Sequence, residues 1–494
     1  MKRLVVAVLL PIVLLLAAAA PAQTTLSPAV KAFITVDAPI VGLQDVRVID
    51  GTGAPAREHQ VITIQNGKIE SVQPLSYDHI YPAGTKIISL QGYTVIPGLV
   101  GMHDHLFYPG TLNPIHYSQG DFSSPRLYLA GGVTTIRTTG SLETYTDIAL
   151  ARDIDAGRVP GPKIFPTGPY LEGAGSYTPQ MHELKDAEDA RRTVAYWAQE
   201  GANNFKAYMH ITHAELAAAI DEAHKRGMKV TGHLCSIGFH EAAALGIDDL
   251  EHGLVVNGEL APAKQADKCP EQTAIRDALL KAEVSGPEIQ QIIKDLVAHK
   301  VAVTSTLPVF ETFVPNRPPM ALPSPAGAPP QTSPYMRRVL DAMLPEARSE
   351  YLARRATIAG VKDSPWPELL KKEMQFEYAF AKAGGWLLAG LDPTGYGGVL
   401  PGFGDHREVE LLVEAGFTPV EAVKIATLNG AQWLGIADRV GTIAAGKQAD
   451  LVVIKGDPSK DISDIENVET VFKEGVGYDA AKLIEATKGK VGLH

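Results

Sequence analysis

"VIPGLVGMHDHLFYPG" (residues 95–110) runs from an apolar stretch into two histidines separated by one residue. On an extended strand residues i and i+2 point the same way, so His103 and His105 project together while Asp104 faces the other side. The pair has two readings: a metal clamp, or two polar residues closing a strand. What the other strands carry at the same end decides between them.

From Gly98 to about residue 435, short apolar strands alternate with helical stretches. "GGVTTIRTTG", "GPKIFPTGPY", "NNFKAYMH", "MKVTGHLC", "DDLEHGL", "VAVTSTLP" and "WLLAGLDP" are separated by patterns such as "THAELAAAIDEAHKRG". With the strand entering His103 these make eight strand-then-helix units, the requirement of an α/β (β/α)8 TIM barrel over 98–435. Insertions are expected near 257–285 and 309–340, the second too rich in proline for a helix or strand interior. Both follow strands and so belong to the barrel face where active sites are built, as tolerated surface insertions or as a lid. Residues 23–97 and 436–494 read as short alternating strands, with Asn66-Gly67 as a tight-turn signal. The two ends are expected to pair into one small, discontinuous β-sandwich domain.

His233 ends the fifth strand, His252 the sixth and Asp392 the eighth. Each alone reads equally well as a hydrogen-bonded polar residue at a strand terminus, but their joint placement makes chance a poor account. Lys206 lies in the fourth strand among apolar neighbours, where an ammonium is costly to bury and has no lone pair for a metal. A neutral lysine reacts with carbon dioxide to give a carbamate whose two oxygens can bridge two cations; the plain alternative is a lysine snorkelling to the barrel end or paired to a carboxylate. Tyr208, two residues on, points to the same side and can hydrogen-bond an oxyanion or a substrate carboxylate, or simply pack. His210, His213, His224 and His240 have surface, capping or helical explanations.

"HDH", "FKAY", "GHLC", "LEHG" and "GLDPTG", in this order, resemble the metal-dependent amidohydrolase superfamily in its binuclear form with a carboxylated lysine. The ending "ELLVEAGFTPVEAVKIATLNGAQWLGIADRVGTIAAGKQADLVVI" is similar to that superfamily's closing stretch. The nearest look is the imidazolonepropionase-like and Xaa-Pro dipeptidase-like branch (prolidase, ochratoxin-amidase type). Imidazolonepropionase itself is mononuclear and lacks the strand-four lysine, so Lys206 argues against that activity. The resemblance implies His103, His105 and Asp392 on a buried ion, His233 and His252 on a more exposed one, and carboxylated Lys206 (N6-carboxylysine) bridging both with a hydroxide. Imidazole and carboxylate ligands suit Zn2+ best among divalent ions. The implied activity is hydrolysis of an amide or peptide C–N bond, of a dipeptide or N-acyl amino acid, with Asp392 moving the proton to the leaving amine. A lactonase or phosphotriesterase on the same site is the enzymatic alternative, and a non-catalytic binding protein on a degenerate barrel the alternative of another class. The latter predicts missing ligands, and all six positions are filled.

The chain carries 45 Lys and Arg against 56 Asp and Glu, a net charge of -11, with no basic cluster to follow a phosphate backbone, which argues against nucleic acid as a partner. Lys2 and Arg3 precede an apolar run to about Ala20, then Ala20-Pro21-Ala22, so residues 1–22 read as a signal peptide cut before Gln23. A periplasmic or secreted protein is expected, free of the membrane after cleavage. The two cysteines, Cys235 and Cys269, are compatible with one disulfide in such a compartment or with two free thiols. Self-association is common in the group resembled.

Overall fold

The computed structural model describes residues 25–112, 115–321 and 331–492; the leader expected at 1–22 and the middle of the proline-rich stretch lie outside them. Among the described residues no helix is long and apolar enough to cross a membrane.

Eight parallel strands form where the sequence placed them: β1 (Leu99–Asp104), β2 (Val133–Thr138), β3 (Lys163–Phe165), β4 (Asn204–Ala207), β5 (Lys229–Gly232), β6 (Asp249–Glu251), β7 (Ala302–Ser305) and β8 (Leu387–Ala389). Their ladders make two arcs, β3-β2-β1 and β4-β5-β6-β7-β8. A few backbone hydrogen bonds outside the ladders join the arcs at both seams. Leu171 N–H donates to Lys206 O (2.9 Å) beside β4, and Asp392 N–H to His103 O (2.9 Å) beside β1. Both seams fall at residues of the candidate site.

The intervening helices follow local rules. Three of those named here are α1 (Thr144–Asp155), α2 (Ala187–Glu200) and α3 (His213–Lys225). In α3 the buried Leu216, Ala219, Ile220 and Ala223 recur at helical spacing, and a capping box between Thr212 and Glu215 sets its start. Asp186 caps α2, which ends at Gly201 with φ 118°, a conformation suited to glycine.

Both chain ends enter one nine-stranded sheet with its own core around Leu43, Ile62, Val95, Leu451 and Phe472. Asn66-Gly67 makes the expected two-residue turn between Arg57–Gln65 and Lys68–Pro74, with φ of 50° and 78°. The ends meet where Tyr93–Pro97 pairs antiparallel with Leu451–Lys455. Pro97 is two residues from Leu99, so the strand that ties the chain ends together leads straight into β1 and its histidines.

A further helix, α4 (Trp366–Lys382), supplies the fully buried Glu373, whose carboxylate accepts from Leu254 N–H (3.1 Å) and Val255 N–H (2.7 Å). These are the first turns after His252, itself held at φ 69°. Burial pushes the Glu373 carboxyl up to about 8. An acid raised in the folded state binds more protons folded than unfolded, so its contribution to stability is lost as pH rises from about 5 to about 8. Thermal melts of wild type and Glu373→Gln across that range should show Tm falling less with pH in the variant; a difference independent of pH contradicts this assignment.

Candidate metal centre

His103 ends β1, His105 follows it, Lys206 lies in β4, His233 follows β5, His252 follows β6 and Asp392 follows β8. All six, with Tyr208, line one cavity of about 160 Å³. Every charged or metal-ligating residue singled out in the sequence is brought there, while His210, His213, His224 and His240 do not line it and pair instead with Glu172, Glu241, Asp248 and Glu259. Asp104 is fully buried outside the cavity lining, as the strand alternation requires.

His103 Nδ1 lies 2.7 Å from Glu251 Oε2. The carboxylate accepts, so Nδ1 carries the proton and Nε2 turns its lone pair inward, 3.1 Å from Lys206 Nζ and 4.0 Å from Asp392 Oδ2. His105 Nε2 is 3.6 Å from Asp392 Oδ1. The ligand atoms of His103, His105 and Asp392 lie within 4.8 Å of one another, a group able to hold an ion. His252 Nδ1 sits 2.8 Å from Thr306 Oγ1 and 3.9 Å from Asp392 Oδ2, and its ring meets His233 at a centroid distance of 4.5 Å.

The electrostatics fit a cation. Burial, reinforced by Lys206, pushes the imidazoles of His103, His105 and His233 down, His233 to about 3, and burial does the same to His252, so all four are neutral near pH 7, with a lone pair free to face a cation. Burial raises Asp392 to about 6 against the pull of Lys206, leaving it mostly ionised at neutral pH. Asp392 Oδ1 is buried without a hydrogen-bond partner. Lys206 is 1% exposed, and burial lowers it to about 8. Among the described residues no carboxylate oxygen lies within 4.0 Å of its Nζ, so the reading of a carboxylate-paired lysine does not hold.

Sequence reasoning missed the groups behind and above the ligands. Arg137 in β2, fully buried, donates to Met102 O, to Asp249 Oδ2 (3.0 Å) and to Glu251 Oε1 (3.0 Å). A charged residue inside an apolar strand was the available signal, in "TTIRTT" and "DDLEH" as much as at Lys206. Above the ligands, Tyr208 Oη donates to Tyr177 Oη (3.2 Å), which lies 3.3 Å from Tyr117 Oη. Gln180 bonds both backbone groups of Tyr117, fastening the hairpin of Phe107–Leu112 and Ile115–Gln119 to the loop after β3. Val309, Phe310 and Phe313, at the start of the proline-rich insertion, complete an aromatic wall. Cys235, two residues after His233, is disulfide-bonded to Cys269 (Cα–Cα 4.8 Å), which ties the insertion after β6 to the site.

Parallel strands with imidazoles, a carboxylate and a buried lysine gathered at their C-terminal ends define a metal-dependent hydrolase. The amidohydrolase family model matches residues 94–268 and 396–477, more than half of the chain, and the chain belongs to that family. A dihydroorotase of Pelobacter propionicus is 32% identical over 193 residues, 36% of this chain and 44% of that enzyme, so the match spans less than half the length of that relative. Two solved structures share the fold: a putative prolidase from Bifidobacterium longum (24% identity, 91% of this chain and 99% of that one, TM-score 0.63) and a Xaa-Pro dipeptidase with bound methionine (20% identity, 89% and 100%, TM-score 0.63). These neighbours imply a TIM barrel.

Arg137→Leu leaves Asp249 and Glu251 buried without their cation. Urea unfolding should show a loss of about 3–5 kcal/mol; a loss under about 1 kcal/mol would mean the guanidinium does not hold the centre together.

Proposed function

We propose that the protein hydrolyses a linear amide or peptide C–N bond, in a dipeptide or an N-acyl amino acid, on a centre of two divalent ions, Zn2+ by preference. The observation that carries this is the convergence of His103, His105, Lys206, His233, His252 and Asp392 on one cavity, with Lys206 buried and, among the described residues, no carboxylate oxygen within 4.0 Å of its Nζ. In this reading His103, His105 and Asp392 would hold one ion, His233 and His252 the other, and Lys206, once carboxylated by carbon dioxide, would supply an anionic ligand to the pair. When bound, such ions supply a Lewis acid and a more acidic water.

The rest is the work of the chain's own groups. Asp392 accepts a proton from the attacking water and returns it to the departing nitrogen, which needs protonation because an amide anion is a poor leaving group. Tyr208 donates a hydrogen bond from its hydroxyl to the carbonyl oxygen as charge develops there, keeping its proton, once Tyr177 turns its own O–H toward Tyr208 Oη. Phe107, Phe310 and Phe313 keep bulk water from the reacting bond. The two arcs are read as halves of one (β/α)8 barrel and the nine-stranded sheet as a sandwich-like unit. With the expected leader and the Cys235–Cys269 disulfide, the protein is read as exported, periplasmic or secreted, and free to self-associate.

A screen of dipeptides and N-acyl amino acids with Zn2+- or Mn2+-loaded protein tests this, with esters, lactones and cyclic amides as competing arms; the last is the second reading, favoured by the dihydroorotase likeness. Linear amides should be turned over best, and Asp392→Asn or Lys206→Ala should lower kcat by about 10²- to 10⁴-fold. Turnover at wild-type rate by either variant, or preference for a lactone or cyclic amide, refutes the proposal. Tyr177→Phe, which breaks the hydroxyl chain without touching a ligand, should lower kcat about tenfold with KM nearly unchanged; a change confined to KM would make Tyr177 a binding residue only.

A further inference from the structure

A second concavity, of about 530 Å³, opens beside the catalytic cavity between α1, α2 and the loops after β2 and β3. Tyr145 of α1 packs against Trp197 of α2 at a centroid distance of 4.7 Å, and Tyr196 stands edge-on to Trp197 at 5.3 Å. Tyr145 and Tyr196 are 53% and 49% exposed, and their hydroxyls bond to each other. Scattered exposed apolar residues are ordinary, but three rings gathered in a hollow present a stacking surface.

This hollow shares a wall with the catalytic cavity. Tyr170 lines both, and on the inner side its ring stands 4.9 Å from Tyr208 and 6.3 Å from His105. Gln180, which lines the outer hollow, is bonded to the backbone of Tyr117, whose ring lines the inner one. The cationic groups at the rim are already answered within the protein: Arg192 and His182 both turn to Asp189, at 3.1 and 3.5 Å, and the other charged side chain of the lining is the carboxylate of Glu143. Among the described residues no unpaired cation lines the hollow, and with the Glu143 carboxylate there the surface disfavours an anion and suits a ring without negative charge.

Resting on the amide-hydrolase reading, we propose that the outer hollow is a specificity subsite for a neutral aromatic ring, carried by the substrate at a tether's distance from the scissile amide. Binding energy gained there by a remote ring is available to the reacting centre.

Two series of amides test it, one with a phenyl ring on an alkyl tether of increasing length on the acyl side, the other on the amine side, each against a ring-free parent. In one series kcat/KM should rise about tenfold at a matching tether length. Trp197→Ala and Tyr196→Ala should remove the gain and leave the ring-free parent unaffected, so that variants that fold and turn over the parent read the subsite alone. Independently of turnover, a phenylalkyl amide should quench tryptophan fluorescence in wild type and not in Tyr196→Ala. Quenching without hydrolysis of any amide refutes the hydrolase reading and keeps the ring site. Hydrolysis of the parents with no ring-dependent gain in either series, a gain that survives both substitutions, or no quenching, refutes the subsite.

Discussion

One buried guanidinium organises the centre. Arg137 leaves β2, donates to the Met102 carbonyl at the end of β1, and reaches across to Asp249 and Glu251 on β6, with the Trp433 ring 4.6 Å from its charge. An uncompensated charge at this depth would be prohibitive, so the cation and its two carboxylates must form together or not at all. Glu251 then spends its other oxygen on His103 Nδ1, which determines the face that histidine shows the cavity. The orientation of a ligand on one arc is therefore dictated by an ion pair to the other.

The backbone carries a related constraint. His252 and Asp392 adopt φ of 69° and 50°, conformations that side-chain-bearing residues rarely take. Each is over-determined by its surroundings. Glu373 holds the turn after His252 by two amide hydrogen bonds, and Asp392 is held through its own N–H to the His103 carbonyl at the seam between β8 and β1. The candidate ligands thus sit on strand ends whose positions are set by packing, while Tyr117 and Tyr177 over them come from a hairpin and a loop that Gln180 fastens together. A rigid floor beneath a loop-built roof is the arrangement in which one chemistry can be kept and substrate choice varied.

Lys206 stood out by its apolar neighbours within a strand, while strand alternation and strand-end position were enough to read the parallel strands, the four histidines and Asp392 as ligand candidates and the exclusion of Asp104. Those features repeat with a period of two or recur at the same end of each unit, and periodicity is what a sequence displays directly. The disulfide was legible only as a compatible pairing, since sequence spacing does not reveal that Cys235 and Cys269 approach to 4.8 Å between Cα atoms. Arg137 and Glu251 escaped because their meaning lies in each other, and they stand 114 positions apart. Tyr117 sits in a short hairpin strand and Tyr177 in a loop, and their contact is visible only once the hairpin and the loop after β3 meet.

The proposed centre depends most directly on Lys206 becoming an anionic ligand shared by two ions. Elemental analysis of protein purified without chelator, alongside intact-mass measurement under conditions that preserve a carbamate, reads both halves of that claim. About two divalent ions per chain and a carbon-dioxide mass increment are expected for wild type, with at most one ion and no increment in Lys206→Ala. Equal metal content in the two proteins, or a wild type that binds no divalent ion, would contradict it.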